Sequence, residues 1–239
     1  MKKGFYLGLF LIVNSLAAQE FRTSVMVGGG ASWLNASGIG VGHSGIMSNG
    51  TNFSFSTAVR EELILPKLLS FATEVNYSRM RASFSSPSYE FNIGTRYSYY
   101  YHTLNMHSID VPVIIKVRTK REVSKAGYFL FSYGVSYIAS TKRHVELYRG
   151  NMNSEKPDEI LPVSEGEMNL KTSKNGRIGT LAMIGLGKNF LIQNKQFFCE
   201  LRFRFDTNSW MYPVSDYTPF GSTASLKRQS LLLNLGYSF

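Results

Sequence analysis

In the closing stretch of the chain, Leu231, Leu233, Leu235, Tyr237 and Phe239 fall on one side, with Ser230, Leu232, Asn234, Gly236 and Ser238 on the other. A period of two is that of an extended strand whose two faces meet different surroundings. The same alternation recurs upstream and predicts eight strands, at residues 23–34, 53–65, 69–80, 103–118, 127–139, 176–190, 195–206 and 228–239. The connections at 66–67, 119–125 and 193–194 are short. Those at 35–52, 81–102, 140–175 and 207–227 are long, polar and read as loops. One local misfit, Glu61 on an apolar face, suits only a rim position.

The seventh segment decides which face meets which solvent. Glu200, Arg202, Arg204 and Asp206 share one side, and Phe197, Cys199, Leu201, Phe203 and Phe205 share the other. Such charges facing hydrocarbon are each very costly, while the phenylalanine stripe facing water would be a large exposed apolar surface. Charges inside and apolar groups outside satisfy both. The expected fold is therefore all-β: an eight-stranded antiparallel up-and-down transmembrane β-barrel with short periplasmic turns and long outer loops. Trp33, Tyr99 to Tyr101, Tyr137 and Trp210 then fall at outer strand ends, and Phe71, Phe129, Phe190, Phe197 and Phe239 at inner ends. Two aromatic girdles are expected.

Composition agrees with this. The 239 residues suit one barrel, with 14% aromatic and only 18% charged residues. Lys2 and Lys3, the apolar run from Phe5 to Val13, and the small residues Ser15, Ala17 and Ala18 predict an export signal peptide at 1–18. The barrel domain is then 19–239. Removing the two leader lysines takes the formal charge from +10 to +8. So basic a chain suits nucleic acid or a phosphate-rich membrane surface. For an exported barrel the membrane surface is the reading, and no nucleic acid partner is expected. The single cysteine, Cys199, excludes an internal disulfide framework and a multi-cysteine metal site.

The segment from His107 to Val117, HSIDVPVIIKV, resembles the strand reading acid, isoleucine, proline, aliphatics, lysine in the PorT-like outer-membrane β-barrel family of Bacteroidota. Segments 68–80, with the inward Glu74, and 127–140 and 178–190, with Gly134, Gly185 and Gly187, are similar to further strands of that family. The resemblance implies a barrel in the outer membrane of a Gram-negative bacterium. Some members of that family take part in secretion and gliding machinery.

Candidate chemistry follows from the two faces. Arg60, Glu62, Glu74, Asn76, Asp110, Lys116, Arg177, Glu200, Arg202, Arg204, Asp206 and Asn234 are predicted inside. An eight-stranded barrel is just wide enough for side chains to fill it, so these groups should pair into a plug. The alternative is a narrow solute path. Arg79, Arg81, Arg96, Lys142, Arg143, Lys227 and Arg228, at outer strand ends, are candidate lipopolysaccharide contacts. Tyr237 and Phe239 are the candidate signal for the barrel assembly machinery. His102, His107, Ser108 and Asp110 supply hydrolase-type groups, but His107 and Ser108 point to opposite faces of a strand, against the reach a triad needs. The acidic stretch Glu155 to Glu167 reads as a solvated loop, and the glycines at 28–30 and 185–187 lack phosphate-loop spacing. The expectation is a non-enzymatic envelope protein without cofactor, contacting surface ligands or other envelope proteins through its outer loops. The alternatives are a narrow channel and an accessory barrel of a secretion or gliding system.

Overall fold

Along β3 (Asn52–Ile64), exposed Phe53, Phe55 and Val59 interleave with buried Ser54, Ser56, Ala58 and Arg60. The hydrophobic alternation is thus a burial alternation with the apolar groups outside. The computed structural model describes residues 20–38, 47–48, 51–66, 68–87, 96–151, 159–168, 170–172, 176–213 and 223–239. The leader at 1–18, Lys67, Glu155, Asp158 and the side chain of Arg96 lie outside the described residues.

Among the described residues, one antiparallel sheet contains twelve strands. Besides β3 these are β1 (Glu20–Gly38), β2 (Met47–Ser48), β4 (Leu69–Pro87), β5 (Arg96–Arg118), β6 (Gly127–Asn151) and β7 (Glu159–Met168). The rest are β8 (Lys171–Thr172), β9 (Ile178–Ile192), β10 (Lys195–Asp206), β11 (Trp210–Pro213) and β12 (Thr223–Ser238). Eight of them, β1, β3, β4, β5, β6, β9, β10 and β12, pair in sequence, and β12 pairs back onto β1 to close a ring. Strand eight of the sequence reading is β12. It meets β10 through Leu201↔Leu233 and β1 through Gly29↔Leu233, and the Phe239 N–H donates to the Thr23 carbonyl at 2.9 Å.

The short-turn end is tightly built. Gln193 and Asn194 both take positive φ (50° and 62°), which suits a two-residue hairpin turn between β9 and β10. Between β5 and β6 lies a 3-10 turn, Val123–Lys125. The Arg118 guanidinium donates to the Leu65 and Leu69 carbonyls at 2.8 and 3.3 Å and so fastens the β3–β4 turn. Glu61 sits at this rim, accepting from the Thr23 hydroxyl at 2.9 and 3.0 Å, which accounts for its misfit.

The opposite end departs from expectation. Much of the sequence read as loops at 81–102, 140–175 and 207–227 is strand: β4 runs on to Pro87, β5 starts at Arg96, β6 reaches Asn151, and β7, β8 and β11 lie within the last two stretches. A strand needs about 9–11 residues to cross a bilayer; β6 has 25. The surplus builds an extension beyond the membrane band. There the preference inverts. On β5 the outward groups change from Ile109 to His107 and Asn105, and the inward ones from Asp110 and Ser108 to Met106 and Leu104. Polar-out and apolar-in is the arrangement for a sheet in water, so the inversion marks where strands leave the lipid. A bulge at His107/Ser108 against β6 lies at the same level.

Candidate functional site

The membrane-level interior is a set of ion pairs, beginning near the short-turn end. The Lys116 ammonium donates to Glu62 Oε2 at 2.6 Å, and the Ser70 hydroxyl donates to Glu62 Oε1 at 2.6 Å. The Arg60 guanidinium grips Glu200 with both Nη atoms, at 2.7 and 2.8 Å, and reaches Glu74 at 3.2 Å. Arg202 closes the group, donating to Glu74 Oε1 at 2.8 Å and to Glu200 Oε2 at 2.7 Å. Higher up, Arg204 pairs with Asp110 at 2.7 Å, and Arg228 holds Asp206 in a fork at 2.7 and 3.0 Å. Five cations, Arg60, Lys116, Arg202, Arg204 and Arg228, thus face five carboxylates, Glu62, Glu74, Asp110, Glu200 and Asp206, all buried. The set is neutral, and fork-shaped pairs are the strong kind of charge-assisted contact.

Two aromatic rings pack among the pairs. Phe198 lies over Gly236 of β12, so a Cβ there would sit 2.0 Å from the ring; Tyr128 lies over Gly187, where a Cβ would sit 2.5 Å away. Both rings face cations: Lys116 is 4.8 Å from the Tyr128 centroid and Arg60 is 5.1 Å from that of Phe198. The Tyr128 hydroxyl also donates to Glu200 at 2.6 Å. Sequence reading missed these two rings. Their signal was an inward aromatic beside an inward glycine on the neighbouring strand.

Above the ion pairs the interior becomes apolar. Leu34, Phe84, Leu104, Met106, Trp210 and Tyr212 are among the members of one buried cluster inside the extension. Trp210 is therefore not part of an outer girdle. It is fully buried, and its indole N–H donates to Asp206 at 2.7 Å, joining the apolar cluster to the ion pairs. His102 is buried here too, stacked on Phe84 at 4.7 Å and bonded to the Tyr212 hydroxyl at 2.9 Å. Burial and nearby Arg143 pull its imidazole down to about 3, so it is neutral at physiological pH.

Of the residues predicted inside, all but Arg177 are buried, and the charged ones among them meet in this network; Asn234 instead accepts from the Ser56 hydroxyl at 3.1 Å. Arg177 stands half-buried at the outer end of β9 and donates to the Ala139 carbonyl at 3.2 Å, because the strand begins only at Ile178 and leaves it above the ion pairs. Among the candidate lipopolysaccharide contacts, Arg228 is the correction. It shares the inward parity of Ser230 and is buried against Asp206. Lys227 is exposed on β12 and Arg143 is half-buried on β6.

Arg79, Arg81 and Lys142 come together on the outward face of β4, β5 and β6, just above the apolar band. The register aligns Arg79 with His107 and Arg81 with Asn105, and Asn105 in turn with Lys142. Residues directly opposite in a sheet lie roughly 5 Å apart, so the three cations span about two strand spacings. His107 Nδ1 lies 2.6 Å from the Tyr77 hydroxyl below them. Partial burial, Arg79 and Lys142 all push the His107 imidazole below its usual range. Higher on this face Tyr148 packs against Tyr99 at 5.2 Å and Tyr101 at 5.5 Å. Partial burial and the bond to Glu146 push its hydroxyl up to about 12.

The hydrolase-type groups do not converge. His102 lies in the apolar cluster, His107 points outward, and Ser108 and Asp110 point inward, where Ser78 bonds both at 2.8 and 3.4 Å. Among the described residues no group of three metal-ligating side chains forms. Cys199 is a free, half-buried thiol on the outward face.

Residues 17–206 match the model of the family described as outer membrane protein beta-barrel domain. Among solved structures the chain is similar to Neisserial surface protein A, at 10% identity and a TM-score of 0.41, over 91% of this chain and 97% of that one. It is also similar to Ail, the attachment invasion locus protein of Yersinia pestis, at 10% identity and a TM-score of 0.36, over 92% and 99%. For the outer membrane protease OmpT of Escherichia coli the values are 9%, 0.39, 92% and 98%. No curated protein matches the chain.

Proposed function

We propose, given that this chain belongs to the outer membrane protein beta-barrel domain family and resides in the outer membrane of a Gram-negative bacterium, that it is a non-enzymatic, closed barrel that works through its outer surface. One observation carries this reading. The ion pairs and the apolar cluster stack along the barrel axis and occupy its interior, while cations and tyrosines remain on the outward face of the extension. The interior charges are engaged with one another, and breaking buried pairs to admit a solute would be costly. The outer extension is then the part available to surface ligands or other envelope proteins. Tyr237 and Phe239, on the closing strand, are the groups offered to the barrel assembly machinery.

Cells lacking the gene test the reading against its rivals. Small-solute uptake and lipid A composition should both match wild type. Slower uptake would favour a channel, and altered lipid A an enzyme. The Pro112 strand supports placing this barrel in the PorT-like group as an accessory of a secretion or gliding machine. Native pull-down of the tagged full chain would then recover secretion components; recovery of the barrel alone would remove that placement.

A further inference from the structure

We infer that the pairing of β1 with β12 carries its own register code, in which inward glycines on either strand face bulkier inward groups on the other, so that the ring closes in one register only. The inference concerns closure of the barrel and stands whatever the outer surface binds.

Ring closure joins the first strand of the chain to the last, across the greatest sequence separation of any pairing in the sheet. A one-residue slip there is excluded, because it would turn every side chain of the strand to the wrong face. A two-residue slip keeps both faces and is the hazard, above all in a glycine-rich strand. β1 carries Gly28, Gly29 and Gly30 in its middle, so its register has to be set by something besides the alternation.

The inward positions of the seam supply it. Opposite one another stand Met26 and Gly236, Gly28 and Asn234, and Gly30 and Leu232. Each of these pairs sets a glycine against a larger residue. A Cβ at Gly28 would overlap the Asn234 amide, and the Ser56 hydroxyl donates to Asn234 Oδ1 at 3.1 Å. The Asn234 side chain thus crosses β1 through the notch at Gly28 and fastens β12 to β3. A Cβ at Gly30 would overlap the Leu231 carbonyl, so the close approach of the two backbones also needs that glycine. Below the notch, the space over Gly236 holds Phe198, which packs with Met26 and Ala58. A slip of two residues one way would set Met26 against Asn234, bulk on bulk. The same slip the other way would set Gly28 against Gly236 and leave the space between them unfilled. Close-packed interiors tolerate neither overpacking nor voids without cost.

Oxidative crosslinking of cysteine pairs on the outward face reads the register directly, in the full chain carrying Cys199→Ser. Val27→Cys stands opposite Leu235→Cys in the native register, and opposite Leu233→Cys after the slip that brings Met26 to residue 234. With no other change, only the combination with Leu235→Cys should crosslink. Adding Asn234→Gly removes the bulk that Met26 would meet in the slipped ring, so Val27→Cys/Leu233→Cys should then crosslink as well. Gly28→Ala should lower the folding equilibrium constant on the order of tenfold, read by urea unfolding. Gly28→Ala/Asn234→Gly should regain most of that loss together with the native crosslink. Gly29→Ala, whose Cβ would meet chiefly the tip of the outward Phe53 ring, should stay near wild type. Crosslinks are scored in the heat-modifiable, folded fraction, so a poor yield of any variant does not blur the reading. An unchanged crosslink pattern in Asn234→Gly would overturn the inference. So would a double variant no more stable than Gly28→Ala, or an equal loss in Gly29→Ala.

Discussion

Glu200 accepts from Arg60, Arg202 and Tyr128, with the Lys116 ammonium 3.7 Å away. Removing its charge leaves Arg60, Arg202 and Lys116 facing only Glu62 and Glu74. Breaking a buried ion pair by neutralising one partner costs about 3–5 kcal/mol. Glu200→Gln should therefore lower the urea midpoint of unfolding markedly, and an unchanged midpoint would mean these charges are not energetically joined. Gly236→Ala should also destabilise, because the methyl must displace Phe198, while Gly166→Ala, with open space at its Cβ, should not. If both glycine variants unfold alike, Phe198 is not seated as described. At this scale strand parity placed Glu200, Arg202 and Asp206 inside from sequence alone. The same parity puts Arg228 inside with Ser230 and Lys227 outside; grouping both with the rim cations overlooked it, because the strand begins before residue 228.

At the scale of elements, the membrane-crossing halves of the strands were legible because lipid outside and charge inside produce a strong two-residue period. The outer halves were not. Past His107 on β5 the apolar side changes from outward to inward, and Tyr99, Tyr100 and Tyr101 carry aromatic groups on both faces, so periodicity fades where the strand continues. Neutral His102 inside the extension gives a pH test. Its imidazole is lowered from 6.5 to about 3 in the fold, so its contribution is fully present above pH 6.5 and is lost progressively as pH falls from there toward 3. Trp210 fluorescence in the full chain carrying Trp33→Phe should report loosening of the extension between pH 7 and pH 4, less so when His102→Phe is added; identical acid profiles for the two proteins would remove His102 as the cause. The closing strand offers a second test. Deleting Phe239 removes its contact with the Tyr237 ring, 4.9 Å away, and its hydrogen bond to Thr23. Poor assembly in cells is expected, and normal assembly with heat-modifiable migration would show that the terminal ring is not read.

For the whole molecule, ring closure joins two cores of opposite character. The polar core is neutral and sits where the outside is hydrocarbon, and the apolar core sits where the outside is water, with Trp210 bonded to Asp206 at their junction. Each half is therefore an inside-out version of the other, as its solvent demands. The barrel fold and outer-membrane placement were foreseeable from the alternation and the strand count; the apolar upper core was not, since its residues are spread over β1, β4, β5, β6, β11 and β12. A closed interior is the central claim, and current through purified protein in planar bilayers tests it most directly. Silent membranes are predicted for wild type; steady open-channel steps from the wild-type barrel would contradict the closed interior.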